Sequence, residues 1–187
     1  LELLVRRPDG PGPFPTVVFN HGSTGRGDAP ESFRRSWWSP AASAYFVERG
    51  WMVVFPQRRG RGASDGRYDE GFETDRSRYS CLPALSLPGV ERAIEDLDAV
   101  MSHLRSRRDV LHSRILLAGQ SRGGILSIAY AGERADLAGQ IAPVLGVCYG
   151  MQLLNIKHGG TVKPGVTREY GPAKLVVTDH ADLFDGI

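Results

Sequence analysis

Short apolar runs punctuate this chain at regular intervals. Thr16–Asn20 (TVVFN), Trp51–Phe55 (WMVVF), Ile115–Ala118 (ILLA) and Ile141–Val147 (IAPVLGV) are almost unbroken by polar residues. That is the pattern of strands covered on both faces in a parallel sheet. Leu1–Arg6 reads as a further strand, and Lys174–Thr178 (KLVVT) as a last one before Asp179. Between them the period changes. Val90, Ile94, Leu97, Met101 and Leu104 recur at three- and four-residue spacing and predict an amphipathic helix. Pro40–Arg49 predicts a helix closed by Gly50, and Ile125–Arg134 one rich in small residues. A further helix over about 152–157 is stopped by His158-Gly159-Gly160, and Pro8–Pro13 is a turn. The alternation predicts an α/β fold: three layers, a mostly parallel sheet with helices on both faces. In such sheets reactive groups collect at the carboxyl ends of strands. His21-Gly22-Ser23, Arg58–Gly62, Ser121, Cys148 and Asp179 all fall there.

Two of those strand ends are corners built for a nucleophile. In Gly119-Gln120-Ser121-Arg122-Gly123-Gly124 the glycines flank a serine between a strand and a helix, where a tight backbone leaves room for no side chain. The helix that follows aims its amino end at the serine and favours developing negative charge. The Arg122 amide is the expected first oxyanion donor. The amide of Ser23 or Thr24, in the loop after an earlier strand, is the expected second. The other corner, Val144-Leu145-Gly146-Val147-Cys148-Tyr149-Gly150, places a cysteine in the same way. A thiolate there would attack without needing as strong a base.

Composition narrows the alternatives. At 41% hydrophobic and 24% charged residues the chain is ordinary globular material. Its net charge of +2 gives no reason to expect nucleic acid or a membrane surface as partner. The runs Arg58-Arg59-Gly60-Arg61 and Arg105–Arg108 read as a loop and a helix end. Two cysteines, Cys81 and Cys148, form neither a zinc motif nor a disulfide framework. No apolar run approaches the ~18 residues of a membrane span, and no signal peptide opens the chain. The expectation is a cytoplasmic protein acting on a small molecule, with no metal and no cofactor. Leu1 already reads as strand, so the chain looks cut from a longer one. Cys81 is expected to be buried among Leu82, Leu85 and Leu87. His21 is expected to be structural, His103 and His112 to lie at the surface, and His158 to neighbour a helix C-cap.

Two family resemblances follow from these motifs. Val18–Ser23, Phe55–Gly66 and Leu117–Gly124 make residues 1–142 resemble the first half to two-thirds of an α/β-hydrolase, of the dienelactone-hydrolase-like or prolyl-oligopeptidase-like esterase kind. The resemblance implies ester hydrolysis through an acyl-Ser121 intermediate, with an acid and then a histidine supplied after the serine. Only Asp179 and His180 stand in this chain as candidates for that pair. From Pro143 the sequence resembles the class I glutamine amidotransferase domain of GMP synthases, on Gly146-Val147-Cys148-Tyr149-Gly150-Met151-Gln152, His158–Val162 and Arg168–Ala173. It implies Cys148 as nucleophile towards glutamine, the Tyr149 amide as oxyanion donor, Gln152 as a substrate contact, and a role in purine biosynthesis. The expected division is 1–142, a partial hydrolase, and 143–187, an amidotransferase piece. Each would lack the later half of its parent. Three functions stay open: serine esterase, glutaminase, and a catalytically inert fusion of natural, engineered or artefactual origin.

Overall fold

A computed structural model describes residues 1–134, the strand 141–147, and residues 152, 155–156 and 158–163. Cys148, Tyr149, Asp179, His180 and the predicted strand at 174–178 lie outside the described residues. The strands are β1 (Glu2–Arg6), β2 (Phe14–Asn20), β3 (Met52–Gln57), β4 (Val110–Gln120) and β5 (Ile141–Val147). The helices are α1 (Pro40–Val47), α2 (Pro83–Ser106) and α3 (Arg122–Glu133).

These strands form one mixed sheet in the order β1-β3-β2-β4-β5. β1 runs antiparallel to β3 from Glu2 opposite Gln57 to Arg6 opposite Val53, and the other pairs are parallel. β2 therefore lies between β3 and β4, which puts the loop after β2 beside the loop after β4. Successive strand residues face opposite sides, and the core divides accordingly. Val17, Val53, Phe55 and Ala118 pack with Ala42 and Phe46 of α1. Val18, Met52, Val54 and Leu117 pack with Ile94, Leu97 and Met101 of α2 and with Leu126 and Tyr130 of α3. The result is the expected sheet with helices on both faces.

Where the elements differ from the sequence reading, packing is the cause. α2 begins at Pro83, upstream of the Val90 stripe, and carries Pro88 inside it. A proline there loses one bond of the ladder. The turn persists because Gly89 lies flat against the Glu70–Gly71 backbone, where a Cβ would come within 2.2 Å of the Glu70 carbonyl carbon. Cys81 is exposed, contrary to the expectation of burial. Its neighbours Leu82 and Leu87 are exposed as well, because the apolar stripe of α2 meets the sheet only further along. His103 and His112 are at the surface, as their positions implied.

Candidate active site

Ser121 occupies the corner between β4 and α3 with φ 53° and ψ −121°. A side chain at positive φ is strained, and such strain persists only where the surroundings hold it. Here the surroundings are three backbones in contact. A Cβ on Gly119 would stand 2.2 Å from the Gly123 carbonyl, and one on Gly123 would stand 2.2 Å from the Asn20 carbonyl oxygen. The glycine spacing thus lets β2, β4 and α3 converge on one point. Ser127 of α3 locks the convergence: its Oγ accepts from Asn20 Nδ2 at 3.0 Å and donates to the Gly123 carbonyl at 2.9 Å. Ser121 itself is half-buried and caps α3 without a side-chain hydrogen bond, so its hydroxyl is not spent on the helix.

A cavity of about 250 Å³ opens beside it, lined by His21, Ser23, Thr24, Trp37, Arg61 and Ser121 among others. The Arg122 amide, in the first turn of α3, belongs to the donors that a helix leaves unpaired. The Ser23 amide lies in the facing loop. The neighbouring Thr24 amide donates to Tyr79 Oη at 2.9 Å, so in this arrangement Ser23 is the open donor of the two. Trp37 is fixed over the cavity by Gln57: its amide donates to Gln57 Oε1 at 2.7 Å, and Gln57 Nε2 donates back to the Trp37 carbonyl at 2.8 Å.

Behind the cavity lies a buried charge cluster. Arg58 and Glu70 form an ion pair with side chains 3% and 8% exposed. Burial works against the Arg58 charge, and Glu70 outweighs it, raising the guanidinium pKa. Arg58 Nη2 also donates to the His21 carbonyl at 3.0 Å. His21 is the one histidine on the cavity wall among the described residues. Its Nδ1 lies 2.8 Å from the Gly22 carbonyl oxygen and 3.1 Å from Arg58 Nη2, and Nε2 is buried with no partner. Burial first, then the charges of Arg58 and Arg61, hold its pKa well below the usual value, so the ring is neutral. Its placement is that of a strut for the loop after β2.

The segment 67–82 supplies residues that the sequence reading did not single out. Phe33, Tyr68 and Phe72 form a small aromatic core with Tyr79 against it. Phe33 stacks on Tyr68 at 4.6 Å and Phe72 on Tyr79 at 4.4 Å. Arg122 Nη2 donates to the Glu70 carbonyl at 2.5 Å and its guanidinium lies 4.5 Å from the Tyr79 ring centroid. The serine corner is thereby tied to a loop whose only sequence signal was scattered aromatics between polar residues. Gln152 is half-buried and helical, and His158 is exposed in a turn, with Gly159 at φ 82°.

Comparison with known proteins gives two kinds of likeness. The folded sheet is similar to an acetyl xylan esterase from Paenibacillus sp. R4, with TM-score 0.50 and 20% identity over 84% of this chain and 46% of that one. It is equally similar to a prolyl endopeptidase, with TM-score 0.50 and 20% identity over 76% of this chain and 18% of that one. The fold is α/β-hydrolase-like. The family model of class-I glutamine amidotransferases matches residues 128–187, beginning inside α3. The glutamine-hydrolyzing GMP synthase of Latilactobacillus sakei subsp. sakei (strain 23K) is 54% identical over 46 residues, 24% of this chain and 9% of that protein. A glutamine-hydrolyzing GMP synthase subunit of Methanoregula boonei is 34% identical over 99 residues, 52% of this chain and 53% of that protein. The chain spans about half or less of the length of each of these relatives. A hydrolase-like fold and an amidotransferase-like C-terminal sequence therefore meet in one chain. Among the described residues no helix is long and apolar enough to cross a membrane.

Proposed function

We propose that the chain carries the acyl-accepting site of a serine esterase. Ser121 Oγ adds to the carbonyl carbon of a carboxylic ester. The carbonyl oxygen becomes an oxyanion, which the Arg122 and Ser23 amides receive. Collapse expels the alcohol and leaves acyl-Ser121, and water then releases the acid. A histidine must take the serine proton and pass it to the leaving alcohol, and a carboxylate must orient that histidine. Asp179 and His180 are this chain's own candidates for those roles. The observation that carries the reading is the strained Ser121 at φ 53°, held where three backbones converge at the carboxyl end of β4. A fluorophosphonate probe, followed by peptide mass spectrometry, is expected to label Ser121 in the folded protein and not in Ser121→Ala. Folded protein that stays unlabelled overturns the reading.

A second reading rests on the match of residues 128–187 to class-I glutamine amidotransferases. On it, the chain divides at 142/143 and Cys148 attacks the carboxamide of glutamine. The Tyr149 amide takes the oxyanion, Gln152 holds the substrate and ammonia leaves. A diazo-ketone analogue of glutamine is expected to alkylate Cys148 on this reading. Labelling of Ser121 alone favours the esterase, and labelling of neither makes the chain an inert fusion.

A further inference from the structure

The wall of the Ser121 cavity holds a charge with no ion-pair partner among the described residues. Arg61 is 6% exposed and lines the cavity together with Ser121, Ser23 and Trp37. Its Nη1 donates to Thr24 Oγ1, while its Nε is buried without a partner. No ion pair involves it among the described residues. Its neighbours have spent their anions elsewhere: Glu70 is paired with Arg58, and Asp96 with Arg59. His21 brings no charge, being neutral. The described cluster thus sets two buried guanidiniums, Arg58 and Arg61, against a single carboxylate, Glu70.

A buried cation without a counter-charge is costly, and proteins keep one where an anion is to be met. A guanidinium has five N–H donors in a planar fork that matches a carboxylate with two parallel hydrogen bonds. The Thr24 contact fixes one arm of that fork in the loop that also carries the Ser23 amide, so an anion on Arg61 would be held in register with the oxyanion donors.

We infer that Arg61 is the specificity-determining residue of this cavity, and that the site takes esters bearing a second, ionised carboxylate, such as a half-ester of a dicarboxylic acid. The inference rests on the esterase reading of Ser121 and names the substrate class. Hydrolysis of such an ester or recognition of its product would place the same anion on Arg61, so a non-reacting analogue reports on both.

The test is calorimetric, on the full chain, with succinanilate as the anionic probe and butyranilide, which has the same acyl carbon chain and no carboxylate, as the neutral probe. Succinanilate is expected to bind at least tenfold tighter, a difference of about 1.4 kcal/mol. Arg61→Gln is expected to bring the two affinities within about twofold of each other, since it removes the charge and keeps a donor for Thr24. Arg61→Lys, a point charge without the fork, is expected to fall between. The melting temperature of Arg61→Gln should match or exceed that of the parent, because no ion pair is lost; a folded variant makes its affinities interpretable. Equal affinities in the parent chain, no measurable binding of either probe, or a preference that survives Arg61→Gln overturns the inference. Ser121→Ala is expected to retain the preference. Failure of fluorophosphonate labelling with the preference intact would count against the esterase alone, whereas labelling without the preference would count against the anion site alone.

Discussion

Two residues carry most of the electrostatic tension behind the cavity. Glu70 neutralises Arg58 in a setting where either charge alone would be stranded. Glu70→Gln is therefore expected to cost about 3–5 kcal/mol, read from urea or thermal unfolding. Replacing both partners by apolar residues, Arg58→Met with Glu70→Leu, is expected to recover most of that loss, because the stranded charge goes with its partner. A double variant as unstable as the single one would show that the pair does more than neutralise charge. His21 gives a pH signature of known sign. Its folded pKa lies below that of the unfolded chain, so below about pH 6.5 the unfolded state binds more protons and stability falls as pH falls. The slope should approach ~1.4 kcal/mol per pH unit, and stability from this group is fully present above the unfolded value. His21→Gln should flatten that acid limb in a series of melts between pH 7 and pH 5.

At the scale of elements, the site depends on how closely β2, β4 and α3 approach. Gly123→Ala puts a methyl 2.2 Å from the Asn20 carbonyl oxygen and 2.5 Å from that of His21. Neither backbone atom has room to retreat, so a loss of about 2 kcal/mol or more is expected, with Ser121 labelling falling in the fraction that still folds. Unchanged unfolding and unchanged labelling would contradict the convergence described. The described strands and α1 were legible because a continuous apolar run or a proline-to-glycine bracket is local information. The reach of α2 back to Pro83 was not, since its first turns carry exposed leucines and are held by the flat Gly89 against the Glu70 backbone. For the same reason Cys81 misled: an apolar neighbourhood in sequence became a solvent-facing one in space.

Across the whole molecule, one sheet ties the candidate site to both core layers. Leu104 is fully buried where α2 meets the sheet and does not line the Ser121 cavity. Leu104→Ala is expected to cost about 2–5 kcal/mol in global unfolding. The folded fraction should keep its rate of fluorophosphonate labelling, since the corner's own contacts are untouched. A parallel loss of labelling rate would show that the α2 layer controls the corner directly.

The serine corner and the apolar runs that became β2, β3, β4 and β5 were set by local pattern alone. Glycines two before and two after a serine have a backbone meaning wherever the chain goes next. What only the tertiary structure decided is which distant groups stand around that serine. Glu70 and Tyr79 reach its neighbours Arg122 and Thr24 from a segment with no periodicity, and burial first, then Arg58, holds His21 neutral. Arg61 looked like one of several loop arginines. Its lack of a counter-charge became visible when the fold assigned the nearby carboxylates to other partners, because pairing is a property of positions in space and not of neighbours in sequence.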